Sequence, residues 1–132
     1  LLEKGADLKG AADGGLLPVH FAARSGSSDL LSLLKKKGAD MAALDALGRS
    51  PLHHAADAGK FHTVKYLLKL KQSPVQADLA GNTPVHYAVR TGKTYLVKYL
   101  LAKGGKGDLR NKEGKTPADL TKDKSILRLF KK

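Results

Sequence analysis

Residues 81–92 read GNTPVHYAVRTG, and residues 48–59, one interval of 33 earlier, read GRSPLHHAADAG. A loop used once for catalysis has no reason to recur. A phrase that returns at a fixed interval marks a unit of construction. Two further copies are present, GLLPVHFAARSG at 15–26 and GKTPAD at 114–119. Pro18, Pro51, Pro84 and Pro117 are spaced by 33 residues, as are His20, His53 and His86, and Gly26, Gly59 and Gly92.

Each unit has a physical reading of its own. A Ser or Thr followed by Pro starts a helix, because the hydroxyl caps free N–H groups and Pro tolerates the first helical position. Ser50-Pro51, Thr83-Pro84 and Thr116-Pro117 fit this pattern. The His three residues after the cap stands where a capping box places Glu or Gln, so it can reach back to the cap. Gly26, Gly59 and Gly92 stand where a first helix ends in a left-handed residue. A second helix follows in SSDLLSLLKKK, KFHTVKYLLKLK and KTYLVKYLLAK, with apolar residues at helical spacing. Small residues at 22–23 and 55–56, and Ala88-Val89, let neighbouring helices approach. A pair of short helices cannot bury its own apolar face, so at least about three units must stack.

The phrase resembles the Thr-Pro-Leu-His-x-Ala-Ala signature of the ankyrin repeat. The resemblance implies an all-α solenoid of helix-turn-helix units with short β-hairpin-like fingers between them. Full repeats are expected at 12–44, 45–77 and 78–110, and a shortened capping repeat at 111–132, all within one domain. Residues 1–11 match the end of an earlier repeat, so the chain is expected to begin inside a second helix, as a fragment of a longer protein.

Several positions depart from the pattern. Leu17 replaces the capping Thr, so His20 is expected to lose a partner, at a cost of about 1 kcal/mol. Lys71 stands where Gly closes the other second helices, so that helix is expected to end differently, before Pro74. His54 stands at a core-facing position that is usually Leu. Ser125 replaces a closing Gly, and Ile126, Leu129 and Phe130 arrive early, which predicts a compact C-terminal cap with Lys131 and Lys132 on its outer face.

The 132 residues carry a formal charge of +12 and no cysteine. Disulfide and thiolate chemistry are therefore excluded, and the composition agrees with an intracellular protein, cytoplasmic or nuclear. No apolar run approaches the roughly 18 residues of a membrane span. The lysines crowd the second helices, which would form the convex back, and a lysine-rich back reads first as a solvated face. A reader of nucleic acid would add stacking aromatics, whereas Tyr66, Tyr87 and Tyr99 fall at core positions. His20, His53 and His86 lie one repeat apart, too far to share a metal, and are expected to be structural; His62 is expected on the surface. KGGKG at 103–107 lacks the spacing of a phosphate loop. Asp45 and Asp78 are expected to hold the finger turns through backbone bonds. No catalytic set stands outside the repeat, so no enzyme, cofactor or metal is expected.

The resemblance implies that partners bind the finger tips and the exposed side of the first helices. On this chain those positions include Leu16, Leu44, Ala46, Leu47, Arg49, Leu79, Ala80, Asn82, Arg110 and Lys112 in the fingers. On the first helices they include Arg24, Asp57 and Arg90. The fingers ALDALGR and ADLAGN are apolar where tips are usually polar, and Arg24, Arg49, Arg90 and Arg110 surround them. Arg is enriched at interface centres and Lys depleted. The expectation is a monomeric module that binds a protein or peptide carrying acidic and apolar residues. Two rivals stand beside it: electrostatic binding of nucleic acid or an anionic membrane by the lysine back, and a regulatory spacer within a larger enzyme.

Overall fold

The computed structural model describes residues 15–130. The expectations for residues 1–11, Lys131 and Lys132 lie outside them. Helix pairs recur as the register requires: α1 Pro18–Ser25 with α2 Ser28–Lys36, α3 Pro51–Asp57 with α4 Phe61–Lys69, and α5 Pro84–Thr91 with α6 Thr94–Ala102. A 3-10 helix at Pro117–Leu120, the short α7 at Lys124–Leu127 and a 3-10 turn at Arg128–Phe130 close the stack. Seven α-helices and no strands occur among the described residues. None of these helices is long and apolar enough to cross a membrane.

The first helices pack on one another in sequence, α1 on α3, α3 on α5, α5 on the 3-10 helix, and each also packs on its own second helix. Ala22, Ala23, Ala55, Ala56, Ala88 and Val89 are buried along these contacts, and their small side chains set the close approach. The second helices touch one another more sparsely. That difference makes the first helices the inner, tighter layer and the second helices the outer, splayed one. Leu31 and Leu34, Val64 and Leu67, and Val97 and Leu100 each sit one helical turn apart at the same repeat position, all fully buried. Burying such a side chain contributes about 2 kcal/mol.

Turn chemistry confirms most of the expected punctuation. Gly26, Gly59 and Gly92 have φ of 80°, 70° and 75°. The α4 terminus, however, corrects the expectation for Lys71. This helix ends at Lys69, in register with Lys36 and Ala102, and is not displaced toward Pro74. Lys71 takes φ 73°, the left-handed conformation that Gly38 and Gly104 occupy in the neighbouring units. The stack dictates the turn and the side chain accepts a strain of about 1 kcal/mol.

The C-terminal unit is compact as expected. Its first helix is reduced to the 3-10 turn, Ile126 is fully buried, and Phe130 lies against Gly107. At the other end, Phe21 is 51% exposed, whereas His54 and Tyr87 at the same repeat position are buried. His54 and Tyr87 are covered by the preceding first helix: the His20 ring lies 5.1 Å from His54, and His53 lies 5.7 Å from Tyr87.

Candidate functional site

The fingers joining one unit to the next are held by two devices. The first is the finger acid. Asp45 Oδ1 accepts from the amides of Leu47 (2.9 Å) and Arg49 (2.8 Å), and Asp78 Oδ1 accepts from Ala80 and Asn82 (both 2.9 Å). Asn111 repeats the pattern on Glu113 and Lys115. Bonds from the Asp45 amide to Arg49 O and from the Asp78 amide to Asn82 O close the turns. Adjacent fingers are joined by Leu79 N–H to Leu47 O and Lys112 N–H to Ala80 O, both 2.9 Å.

The second device is the repeat histidine. Nδ1 of His20, His53 and His86 accepts from the amide of Leu17 (2.9 Å), Ser50 (3.0 Å) and Thr83 (3.0 Å). Nε2 donates to carbonyls of the following finger: Ala43 (2.8 Å), Gln76 (2.9 Å) and Lys115 (2.9 Å) respectively. Carbonyl acceptors fix the proton on Nε2, and Nδ1 must stay bare to receive its amide. Burial, opposed by the bonds to those carbonyls, holds all three imidazoles below their ordinary pKa. His20 lacks only a hydroxyl: Ser50 Oγ and Thr83 Oγ1 each lie 2.9 Å from their histidine, and Leu17 has nothing to offer there.

His54 is more than a tolerated substitution. It is 1% exposed, and its Nε2 donates to Asp45 Oδ2 at 2.9 Å. Its Nδ1 accepts from Arg24 Nη2 at 3.0 Å, and the same nitrogen of Arg24 reaches Asp57 Oδ2 at 3.0 Å. The chain Asp45–His54–Arg24–Asp57 thus ties a finger to α3 and α1. Burial lowers the His54 pKa to about 4, against the raising effect of Asp45. Burial alone would raise Asp45, but the Arg49 amide, His54, the Arg49 guanidinium and the Leu47 amide hold it at about 2. One repeat later Tyr87 takes the place of His54. Its hydroxyl donates to Asp78 Oδ2, and burial together with that carboxylate pushes the phenol pKa up.

These contacts change the reading of the arginines. The sequence suggests four free cations around an apolar centre. The structure gives each an internal partner: Arg24 as above, Arg49 Nε on Asp45 at 2.8 Å, Arg90 5.9 Å from the Tyr87 ring centroid, and Arg110 Nη1 on Gly114 O at 2.7 Å. The Arg24 partners lie about one repeat away and cannot be assigned from sequence until the stacking register is known, whereas those of Arg49, Arg90 and Arg110 lie three or four residues off. Leu44, Leu47 and Leu79 stand out at 48%, 53% and 59% exposure. Ala46, Ala80 and Lys112 are exposed beside them; Leu16, Asn82 and Asp57 are half-buried. Most second-helix lysines are exposed, though Lys65 and Lys93 are half-buried. No group of three or more potential metal ligands converges among the described residues.

Stacked helical hairpins joined by aspartate-pinned fingers define a repeat scaffold that presents a surface. Sequence-family comparison matches residues 1–78 to "Ankyrin repeats (3 copies)" and residues 80–112 to "Ankyrin repeat". The chain belongs to the ankyrin-repeat family. Ankyrin repeats are generally protein–protein interaction modules and are typically non-catalytic. Comparison with curated proteins gives no match.

Proposed function

We propose that this chain binds a partner protein on the finger face, through Leu44, Leu47 and Leu79 on two joined fingers. We further propose that residues 12–110 act as three stacked units under the cap at 111–132. The observation that supports the binding face is the exposure of these three leucines beside turns pinned by the Asp45 and Asp78 carboxylates and joined to each other through Leu79 N–H and Leu47 O. Leu79 rests partly on Gly48 of the preceding finger, yet about half of each leucine faces solvent, and burial on a partner would recover about 1–2 kcal/mol each. Arg24 and Arg49 are occupied by carboxylates of this chain. At the tips, the cations with no carboxylate of this chain against them among the described residues are on the third finger, Arg110, Lys112 and Lys115, all exposed, with Arg110 holding only the Gly114 carbonyl. A partner that fits lays an apolar segment across the first two fingers and an acidic one against the third.

The test is capture from cell lysate by the wild-type chain and by Leu47→Asp/Leu79→Asp, at about 0.15 M and about 0.5 M salt. Both side chains are exposed, so melting should be unchanged. Arg49 is left alone because its loss would strip Asp45 of a buried bond. A protein retained at high salt by the wild type and lost with the variant supports the reading. Recovery of nucleic acid or lipid alone, lost at high salt and equal for both chains, would transfer function to the lysine back.

A further inference from the structure

The turn joining α3 to α4 lies at the end of the stack away from the fingers. There Gly26, Gly59, Lys60, Phe61, His62, Thr63 and Tyr95 line a recess of about 300 Å³. No carboxylate belongs to the lining. Its floor is the N-terminus of α4, a nine-residue helix whose N-cap, Lys60, makes no side-chain capping bond. The Thr63 side chain supplies an independent observation. Thr63 is 1% exposed, and its Oγ1 has no hydrogen-bond partner among the described residues. A buried hydroxyl left unpaired costs about 1–3 kcal/mol.

The equivalent termini are built differently. Ser27 caps α2 by accepting from the Leu30 amide at 3.1 Å. In α6 the amide of Leu96, the counterpart of Thr63, is turned onto Lys93 O at 3.1 Å, and Leu96 has no hydroxyl. The Thr63 amide has no such bond among the described residues. Among the described residues, the α4 terminus thus combines unbonded amides, an unpartnered hydroxyl and a recess. Two cations frame it. The Lys60 stem crosses Gly26, and Lys93 Nζ lies on Gly59 O at 3.0 Å. Phe61 and Tyr95, edge to face with centroids 5.5 Å apart, form an apolar wall.

We propose that this recess binds a phosphate monoester. Its oxygens would accept from the Thr63 hydroxyl and the Phe61, His62 and Thr63 amides. Lys60 and Lys93 would balance the charge, and the organic group would rest on Phe61 and Tyr95. Helix N-terminal amides and the dipole favour such an anion, and the hydroxyl gains the partner it lacks.

The experiment is an amide NMR titration of the full chain with phenyl phosphate, with inorganic phosphate as the comparison. Saturable shifts are expected at Phe61, His62 and Thr63, with a further one at Tyr95 from the phenyl ring alone and not from inorganic phosphate. Thr63→Val should weaken binding about tenfold, the loss expected for one bond to a charged group, and Thr63→Ser should restore it. Equal affinity of Thr63→Val and wild type would overturn the proposal. So would equal shifts at Ser28, Asp29 and Leu30 of α2, or unsaturable shifts along all the lysines. Vesicles carrying a monophosphorylated inositol lipid then separate the sources. Binding that Thr63→Val abolishes assigns the monoester to a lipid headgroup, and no vesicle binding assigns it to a soluble molecule.

Discussion

Acidification from about pH 7 to about pH 5 should destabilise the fold, and His54 should carry a separable share of the loss. Its imidazole is buried and neutral, with Nε2–H on Asp45 and Nδ1 facing the Arg24 guanidinium. The folded pKa is about 4 against 6.5 for the free side chain. Between those values the unfolded chain binds the proton and the folded chain does not, so stability falls as pH falls and levels off below the folded value. Linkage over that range gives a loss of about 2 kcal/mol at this one site. For a domain of this size that is about 6–8 °C in Tm. His20, His53 and His86 are shifted in the same direction and add to the total. Urea unfolding followed by circular dichroism at both pH values, for wild type and His54→Leu, isolates the share. The variant should lose about 2 kcal/mol less on acidification, because Asp45 keeps its two amide bonds and Arg49. An identical pH dependence in the two chains would refute the assignment of His54 as a buried neutral group.

Two further outcomes follow from backbone and capping geometry. Lys71→Gly should raise unfolding free energy by about 0.5–1 kcal/mol in the same urea assay, because a side chain at φ 73° is strained and Gly is not. Leu17→Thr should add about 1 kcal/mol by supplying the hydroxyl that Ser50 and Thr83 already give their histidines; an unchanged midpoint would show that the first unit does not limit unfolding.

The sequence by itself determined the repeat, its 33-residue register, the two helices of each unit, the buried apolar and small positions, and the structural use of His53, His86, Asp45 and Asp78. All of these rest on local rules: capping spans three residues, a helical face recurs every three or four, and a finger acid bonds amides two and four residues on. What lies across the stack was decided by tertiary structure alone. Lys71 adopts a glycine's conformation because the neighbouring units fix where the chain must turn, and that constraint outweighs a local preference of about 1 kcal/mol. Arg24 meets His54 and Asp57 from roughly one repeat away, so its apparent freedom on the page ends when α1 packs on α3. Thr63 stands one repeat before Leu96. Its unpaired hydroxyl becomes visible only when the fold buries it beside the recess that Thr63 lines with Gly59 and Tyr95. Bond partners fixed by chain spacing can be read in order along a sequence; partners fixed by stacking require the curvature and register that only the folded solenoid supplies.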